Sequence, residues 1–335
     1  MLAEQLLAPV PGGTGRYTRE LLTAMAQTAP ANWKITAVTA FHRGSTVDAR
    51  MLPLPRRALV AAWERGVRLW PGGDVVHAPT PLAPPAPKRP LVVTVHDTVP
   101  FTHPETLTPR GAAWHQAMIR RAAHQASAIV VPTAAVAAEL REYAPGPAPV
   151  HVIPHGVTPL NGDAEVSLPD RYVLAVGTVE PRKGLDVLVK AMRAVNLPLV
   201  VAGPAGWGSV ALEGAYVLGR LTDAELATVL GRATVLAVPS LAEGFGLPVI
   251  EAMAAGVPVV HSDAPALVEV AGGAGVVTPR GDPTALAEAL RTVIEDTVKA
   301  ASLVAAGRAR AAGFTWENAA KSHWELHLDL ANSAR

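Results

Sequence analysis

Short apolar runs recur along the whole chain, each followed by an amphipathic stretch, and this alternation constrains the fold more than any other feature. Runs of a few residues rich in Val, Ile and Leu suit strands buried on both faces. The helical stretches between them suit the cover of a parallel sheet. In the first half the strand candidates are Ile35 to Thr39, Val75 to His77, Leu91 to His96, Ala128 to Val131 and Val150 to Ile153. In the second half they are Tyr172 to Val176, Leu199 to Ala202, Ala215 to Leu218, Thr234 to Val238, Val259 to His261 and Ala274 to Val277. Two successive sets predict two doubly wound α/β units, and 335 residues exceed what a single compact core usually holds.

The segment Leu160 to Asp170 is polar, turn-rich and without either periodicity, so it reads as the linker. The expected domains are therefore 1–158 and 171–312. A final helix, 316–330, is free to return to the first domain. Gly12 arrives after only a few residues able to form a first strand, which leaves an upstream start codon open.

The formal charge of +1 argues against affinity built on neutralising many phosphates, and the few aromatic residues offer no stacking platform, so no nucleic-acid partner is expected. Cysteine is absent, which excludes disulfides and thiolate metal sites and suits a reducing, cytoplasmic compartment. No apolar run approaches the ~18 residues of a membrane span. Leu59, Trp63, Val67 and Trp70 recur at helical spacing among Arg56, Arg57, Arg65 and Arg68. That pattern fits a peripheral membrane or acceptor-binding helix. It also fits a helix packed on the first sheet with a solvated basic face, which is the preferred reading. The same choice arises for Trp114, Met118 and Ala122 beside Arg120 and Arg121.

Several segments carry chemistry. Gly13, Thr14 and Gly15, after Gly12, stand between the first strand and a helix expected near Arg16, either as a cradle for an anion at a helix N-terminus or as a structural turn. His96 and Asp97 end a buried strand at the carboxyl edge, where doubly wound sheets place ligands. His96 is a candidate for catalysis there, with a structural histidine as the alternative. Asp97 is left to orient the turn or touch substrate. Thr178, Arg182 and Lys183 lie in the turn 177–184 ahead of another helix, where two adjacent cations suit a diphosphate. In the stretch 240–254 a strand end is followed by Glu243, Gly244, Phe245, Gly246 and Leu247, then by Pro248 in a first helical turn and Glu251 about one turn in. Loop and helix together form an anion cradle, with two carboxylates able to address different parts of one ligand.

These segments resemble retaining glycosyltransferases of family 4, in particular their mannosyltransferase-like branch. Glu243 and Glu251 match the family's Glu-x7-Glu signature, and Glu-Pro-Arg-Lys-Gly at 180–184 matches its phosphate-binding turn. Gly-Thr-Gly-Arg-Tyr-Thr-Arg-Glu-Leu (13–21), Val-His-Asp-Thr-Val-Pro (95–100), Val-Ile-Pro-His-Gly-Val (152–157), Leu-Gly-Arg-Leu-Thr-Asp-Ala-Glu-Leu (218–226) and Phe-Thr-Trp-Glu (314–317) follow in family order. The resemblance implies a GT-B fold, with two Rossmann-like doubly wound domains facing a central cleft, acceptor bound mainly by the first and donor by the second. It implies that Glu243 meets the hydroxyls of the transferred sugar and Glu251 the ribose. Lys183, with Arg182 beside it, takes the diphosphate. Backbone amides at 244–247 and 13–15 assist, and His96 lies by the reacting sugar. Many relatives carry Arg where Thr178 stands, which shifts more of the diphosphate charge onto Lys183 and Arg182.

The implied reaction moves a hexose to a hydroxyl of a saccharide or glycoconjugate acceptor with retention of the α configuration. The expected donor is GDP-mannose, with UDP-glucose or another nucleotide sugar as runner-up. No separate cofactor is expected. No Asp-x-Asp pair and no clustered histidine ligands stand out in the sequence, so no metal is expected. A dinucleotide oxidoreductase lacks its G-x-G-x-x-G turn here. A non-catalytic nucleotide-sugar-binding protein would keep Lys183 and Glu251 but should show damage at His96 or Glu243, and none is visible.

Overall fold

Strands form at the apolar runs in the computed structural model, which describes every residue except 9–11, 45–46, 86–88, 209 and 335. The chain divides into two units, Met1–Gly156 with Thr315–Arg335 (unit 1) and Val157–Phe314 (unit 2).

In unit 1, β1 (Val38–Phe41) pairs in parallel with β2 (Arg50–Pro55), and β3 (Val76–Ala78), β4 (Leu91–Thr94), β5 (Ala128–Val131) and β6 (Val150–Val152) form a parallel sheet in that order. Residues 1–3 join the two sheets. Leu2 forms a parallel bridge with Val38, its amide donates to His77 O, and the Ala3 amide donates to Val38 O. Counting that segment as the first strand, the spatial order is 3-2-1-4-5-6-7, a doubly wound arrangement. β4 and β5 are buried along their whole length, as apolar runs covered on both faces must be.

β2 is absent from the sequence-based strand set because Pro53 and Pro55 cannot donate to a ladder. It is tolerated at an edge, where the register slips opposite Phe41. The basic helix spans only Arg56–Glu64 and buries Leu59 and Trp63, so the packed reading holds for that part. The expected continuation to Trp70 does not form. The chain turns at Gly66, Val67 is exposed, and the Trp63 indole donates to Leu69 O at 3.0 Å. The first long helix starts at Gly12, not near Arg16. Gly13, Thr14 and Gly15 are therefore its first turn, whose N–H groups have no partner within the helix. The C-terminal helix Trp316–Ser333 is part of unit 1. Ala320 and Trp324 pack with Tyr17, Leu21 and Met25, and the Trp324 indole donates to Met25 O at 3.0 Å.

Unit 2 contains β7 (Val173–Val176), β8 (Leu199–Ala202), β9 (Tyr216–Gly219), β10 (Val235–Val238), β11 (Val259–Ser262) and β12 (Val276–Thr278), all parallel, in the order β12-β11-β10-β7-β8-β9. Read from β9, this is the 3-2-1-4-5-6 order of a dinucleotide-type sheet. Residues 160–170 have no regular secondary structure, yet Leu160, Val166 and Leu168 pack on the unit 2 core and the Ala164 amide donates to Thr228 Oγ1 at 2.9 Å.

Candidate functional site

In a sheet of this order the connections from β7 and β10 run to opposite sides, which opens a crevice beyond the carboxyl ends of those two strands. The two motif-bearing segments of unit 2 leave from these ends. One turns through a short 3-10 segment, Pro181–Lys183, into the helix Leu185–Met192; the other runs from Pro239 to the helix Leu247–Ala255. Gly184 sits at φ 63° with the position of an added Cβ only 2.2 Å from Pro239 O. Any larger residue would push the two turns apart. Their backbones are also tied directly, the Leu241 amide donating to Arg182 O at 2.8 Å.

This juxtaposition assembles a compact charged cluster. Lys183 Nζ donates to Glu243 Oε1 at 2.6 Å and Arg182 Nη1 to Glu243 Oε2 at 3.1 Å. Ser240 Oγ donates to Glu243 Oε1 at 2.8 Å. Arg182 reaches back through Nε and Nη2 to Glu180 Oε1 at 3.0 and 2.7 Å, and through Nη1 to Ala242 O at 3.0 Å. Two cations thus face two nearly buried carboxylates. Burial by itself would raise the Glu243 pKa. The charges of Lys183 and Arg182 and the hydrogen bonds from Lys183 and Ser240 outweigh it and hold the carboxyl at about 2. Glu243 is therefore an ionised acceptor at neutral pH. It can take hydrogen bonds from hydroxyls and cannot serve as an acid.

Gly246 caps the Leu247–Ala255 helix at φ 85°, with a Cβ position 2.4 Å from Leu267 Cδ2, so only glycine fits there. The helix has Pro248 in its first turn and neither an acidic residue nor a side-chain cap at its N-terminus. Its positive end is uncompensated by an anion of its own first turn. Glu251 is buried one turn in. Phe245 packs its ring edge-on against Phe314, with centroids 5.6 Å apart, and Leu247 packs on the same core, so their side chains belong to the interior. Thr178 turns its methyl toward Gly206. Glu180 and Ser240 are the residues that reading the sequence for ligand contacts passed over. Both lie within the quoted motifs, and Glu180 is signalled by its place directly before Pro-Arg-Lys.

In unit 1, His96 lies just past β4. Its Nε2–H donates to Pro79 O at 2.8 Å, which leaves Nδ1 as the acceptor facing His155 Nε2 at 3.3 Å. Its ring stands edge-on to Tyr17 with centroids 4.7 Å apart. Burial lowers its pKa, partly offset by the Pro79 bond and the Asp97 charge, so the imidazole is neutral at pH 7. Asp97 accepts from the Val99 amide at 3.1 Å and orients the turn. A small cavity of about 30 Å³, lined by residues including Leu2, Glu4, Leu52, Arg56, Trp63 and Pro79, lies in the same unit. Glu4 is fixed there by the Ala40 amide and by His42 Nε2–H, at 3.0 and 2.9 Å.

The expectation that no histidines cluster is overturned in unit 1, where His77, His323 and His327 converge in the interior. Sequence spacing carried half of that signal, since His323 and His327 are one turn apart on the Trp316–Ser333 helix. His77, in the middle of β3, gave none. Among the described residues, no helix is long and apolar enough to cross a membrane.

Known proteins resemble this chain in sequence and fold. A family model described as Glycosyltransferase Family 4 matches residues 11–159, and one described as Glycosyl transferases group 1 matches residues 170–296. The chain is 36% identical over 163 residues to the O-antigen chain mannosyltransferase B of Escherichia coli, covering 44% of this chain and 43% of that protein. It is 33% identical over 262 residues to the MMP alpha-(1->4)-mannosyltransferase of Mycolicibacterium hassiacum, covering 69% of this chain and 63% of that protein. The chain thus matches less than two thirds of the length of these relatives. Among solved structures, the sucrose-phosphate synthase of Thermosynechococcus elongatus superposes with a TM-score of 0.77 at 24% identity, covering 96% of this chain and 94% of that one. Anabaena HepE in complex with UDP and glucose superposes with a TM-score of 0.74 at 20% identity, covering 98% of both chains. The fold of the chain is that of the GT-B glycosyltransferases.

Proposed function

From a chain that carries a Glycosyltransferase Family 4 domain followed by a Glycosyl transferases group 1 domain, we propose a retaining glycosyltransferase that moves mannose from GDP-mannose to a hydroxyl of a saccharide or glycoconjugate acceptor. The observation that carries this reading is the Lys183–Arg182–Glu243 cluster beyond the carboxyl ends of β7 and β10, beside the N-terminus of the Leu247–Ala255 helix. Transfer requires a departing diphosphate to be stabilised while positive charge grows at the anomeric carbon. Lys183 and Arg182 supply fixed cations, and the helix end supplies amides and a dipole, without a metal ion at the leaving group. Glu243, held ionised, accepts from the sugar hydroxyls, and Glu251 holds the ribose. When the diphosphate arrives it competes with Glu243 for Lys183, which couples phosphate binding to release of the carboxylate toward the sugar. The acceptor hydroxyl attacks from the leaving-group side and passes its proton to a phosphate oxygen.

His96 and the first turn at Gly13, Thr14 and Gly15 lie in unit 1, and their part in the same reaction belongs to this proposal. Acceptor binding is assigned to unit 1, which carries the Glycosyltransferase Family 4 match. The names of both relatives, each a mannosyltransferase, support mannose as the transferred sugar. UDP-glucose is the alternative donor. A thermal-shift screen of GDP, UDP, GDP-mannose and UDP-glucose tests the donor, since a ligand of the folded state raises the melting temperature. Product NMR then tests transfer and configuration. A larger shift with the uridine ligands overturns GDP-mannose, and an inverted linkage overturns the retaining mechanism.

A further inference from the structure

We propose that unit 1 binds one transition-metal ion, zinc by the chemistry of the donors, between His77, His323 and His327, as a pin between β3 and the C-terminal helix. One ring nitrogen from each imidazole lies within 4.8 Å of the other two, and all three side chains are buried. His77 Nδ1, His323 Nδ1 and His327 Nε2 have no hydrogen-bond partner. Buried polar atoms are nearly always paired, and one unpaired nitrogen on each of three clustered imidazoles calls for a shared partner.

The opposite ring nitrogens are already engaged. His77 Nε2 lies 2.8 Å from Thr94 Oγ1, and His323 Nε2 lies 3.2 Å from Tyr17 Oη, which is itself 3.2 Å from Thr94 Oγ1. With these hydroxyls accepting from Nε2–H, both Nδ1 atoms carry a free lone pair. Hydrogen bonds behind the ring of this kind fix metal-binding histidines in their tautomer and orientation. A donor set of three neutral imidazoles, without carboxylate or carbonyl oxygens, selects zinc and its transition-metal neighbours over magnesium and calcium. Bonds of about 2.0–2.1 Å in a tetrahedron set nitrogens roughly 3.3 Å apart, so the three rings draw together by about 1 Å on binding, with water as the fourth ligand. His323 and His327 face the same side of one helix at i, i+4, the spacing by which a helix supplies two ligands to one ion. The ion joins a strand near one end of the chain to a helix at the other, so metal binding is linked to the stability of unit 1. It takes no part in the chemistry assigned to Lys183 and Glu243.

The test uses the full chain without a histidine tag, stripped with a strong chelator and then titrated with zinc or cobalt. The expected results are one zinc per chain by elemental analysis, a melting temperature raised by zinc, and a tetrahedral absorption spectrum with cobalt. His77→Gln, His323→Gln and His327→Gln each weaken zinc binding by about 100-fold or more. Thr94→Val, which removes only the hydroxyl behind His77, weakens it by about 10–100-fold. Equal zinc binding in the wild type and these variants would mean an adventitious ion only and overturns the site, as does the absence of any zinc effect on the wild type. If the histidine variants do not fold, Thr94→Val and the cobalt spectrum of the wild type decide. Unchanged affinity in Thr94→Val, or an octahedral, water-rich cobalt spectrum, overturns the proposal.

Discussion

Lys183 Nζ and Glu243 Oε1 stand 2.6 Å apart although 60 residues separate them in the chain. The two side chains come from the turns after β7 and β10, neighbours in the sheet because the strand order reverses between them. An ion pair of this kind is weak evidence for stability, since two charges lose solvation to form it. Its position at the switch point suits the proposed diphosphate site, where the cation would meet a competing anion.

Lys183→Ala is expected to weaken nucleoside diphosphate binding far more than nucleoside binding, because only the diphosphate presents charge to the amine. Calorimetry with both ligands checks this; equal losses would remove Lys183 from the phosphate site.

Glu243→Gln is expected to preserve or raise affinity for the free nucleotide diphosphate, because it removes the carboxylate that competes for Lys183, while cutting turnover about 10²-fold or more, the pattern of an interaction made chiefly with the reacting sugar. Glu251→Gln should instead weaken nucleotide binding. Steady-state kinetics and calorimetry on both variants separate the roles, and the reverse pattern exchanges them.

The acid limb of unit 2 stability should carry the signature of Glu243. Its folded-state pKa, about 2, is depressed from the ordinary value of 4.5, so the pair's contribution is fully present above about 4.5 and is lost as pH falls toward 2. The linkage is worth at most about 3 kcal/mol. Melting temperatures measured between pH 6 and pH 3 should fall more steeply for the wild type than for Glu243→Gln, and parallel curves would contradict the assignment.

Gly184→Ala is expected to destabilise unit 2 by roughly 1–3 kcal/mol, because it combines a left-handed backbone with a Cβ directed at Pro239 O. It should also weaken diphosphate binding by moving the Lys183 turn off the Glu243 turn. Chemical denaturation together with calorimetry checks both effects.

Turnover is expected to be insensitive to added magnesium or manganese, in enzyme assayed well below its melting temperature, because Lys183, Arg182 and a helix end are the groups assigned to the leaving diphosphate. Activity that disappears with chelator and returns specifically with magnesium or manganese would reject this. Zinc at the unit 1 histidines would act on the melting temperature instead.

Much of this architecture is written locally. Ala128–Val131 and Leu199–Ala202 form strands with the bounds that their apolar runs predict, because four consecutive buried residues with helices on either side leave little other choice. The Glu180–Gly184 turn and the Glu243–Glu251 segment were legible because glycine, proline and charge occur there at spacings a strand-to-helix turn demands. β2 was not legible, since Pro53 and Pro55 argue against a strand until an edge position is known.

What only tertiary structure decided is which distant residues meet. Sequence marks Lys183 and Glu243 as chemistry-bearing, but only the strand order sets one against the other and thereby fixes Glu243 as an ionised acceptor. His77 reads as one more buried strand residue until the C-terminal helix brings His323 and His327 to it. The reason is the range of the forces involved. Periodicity and turn chemistry act over a few residues, whereas electrostatic and coordination partners are chosen by packing between segments far apart in the chain.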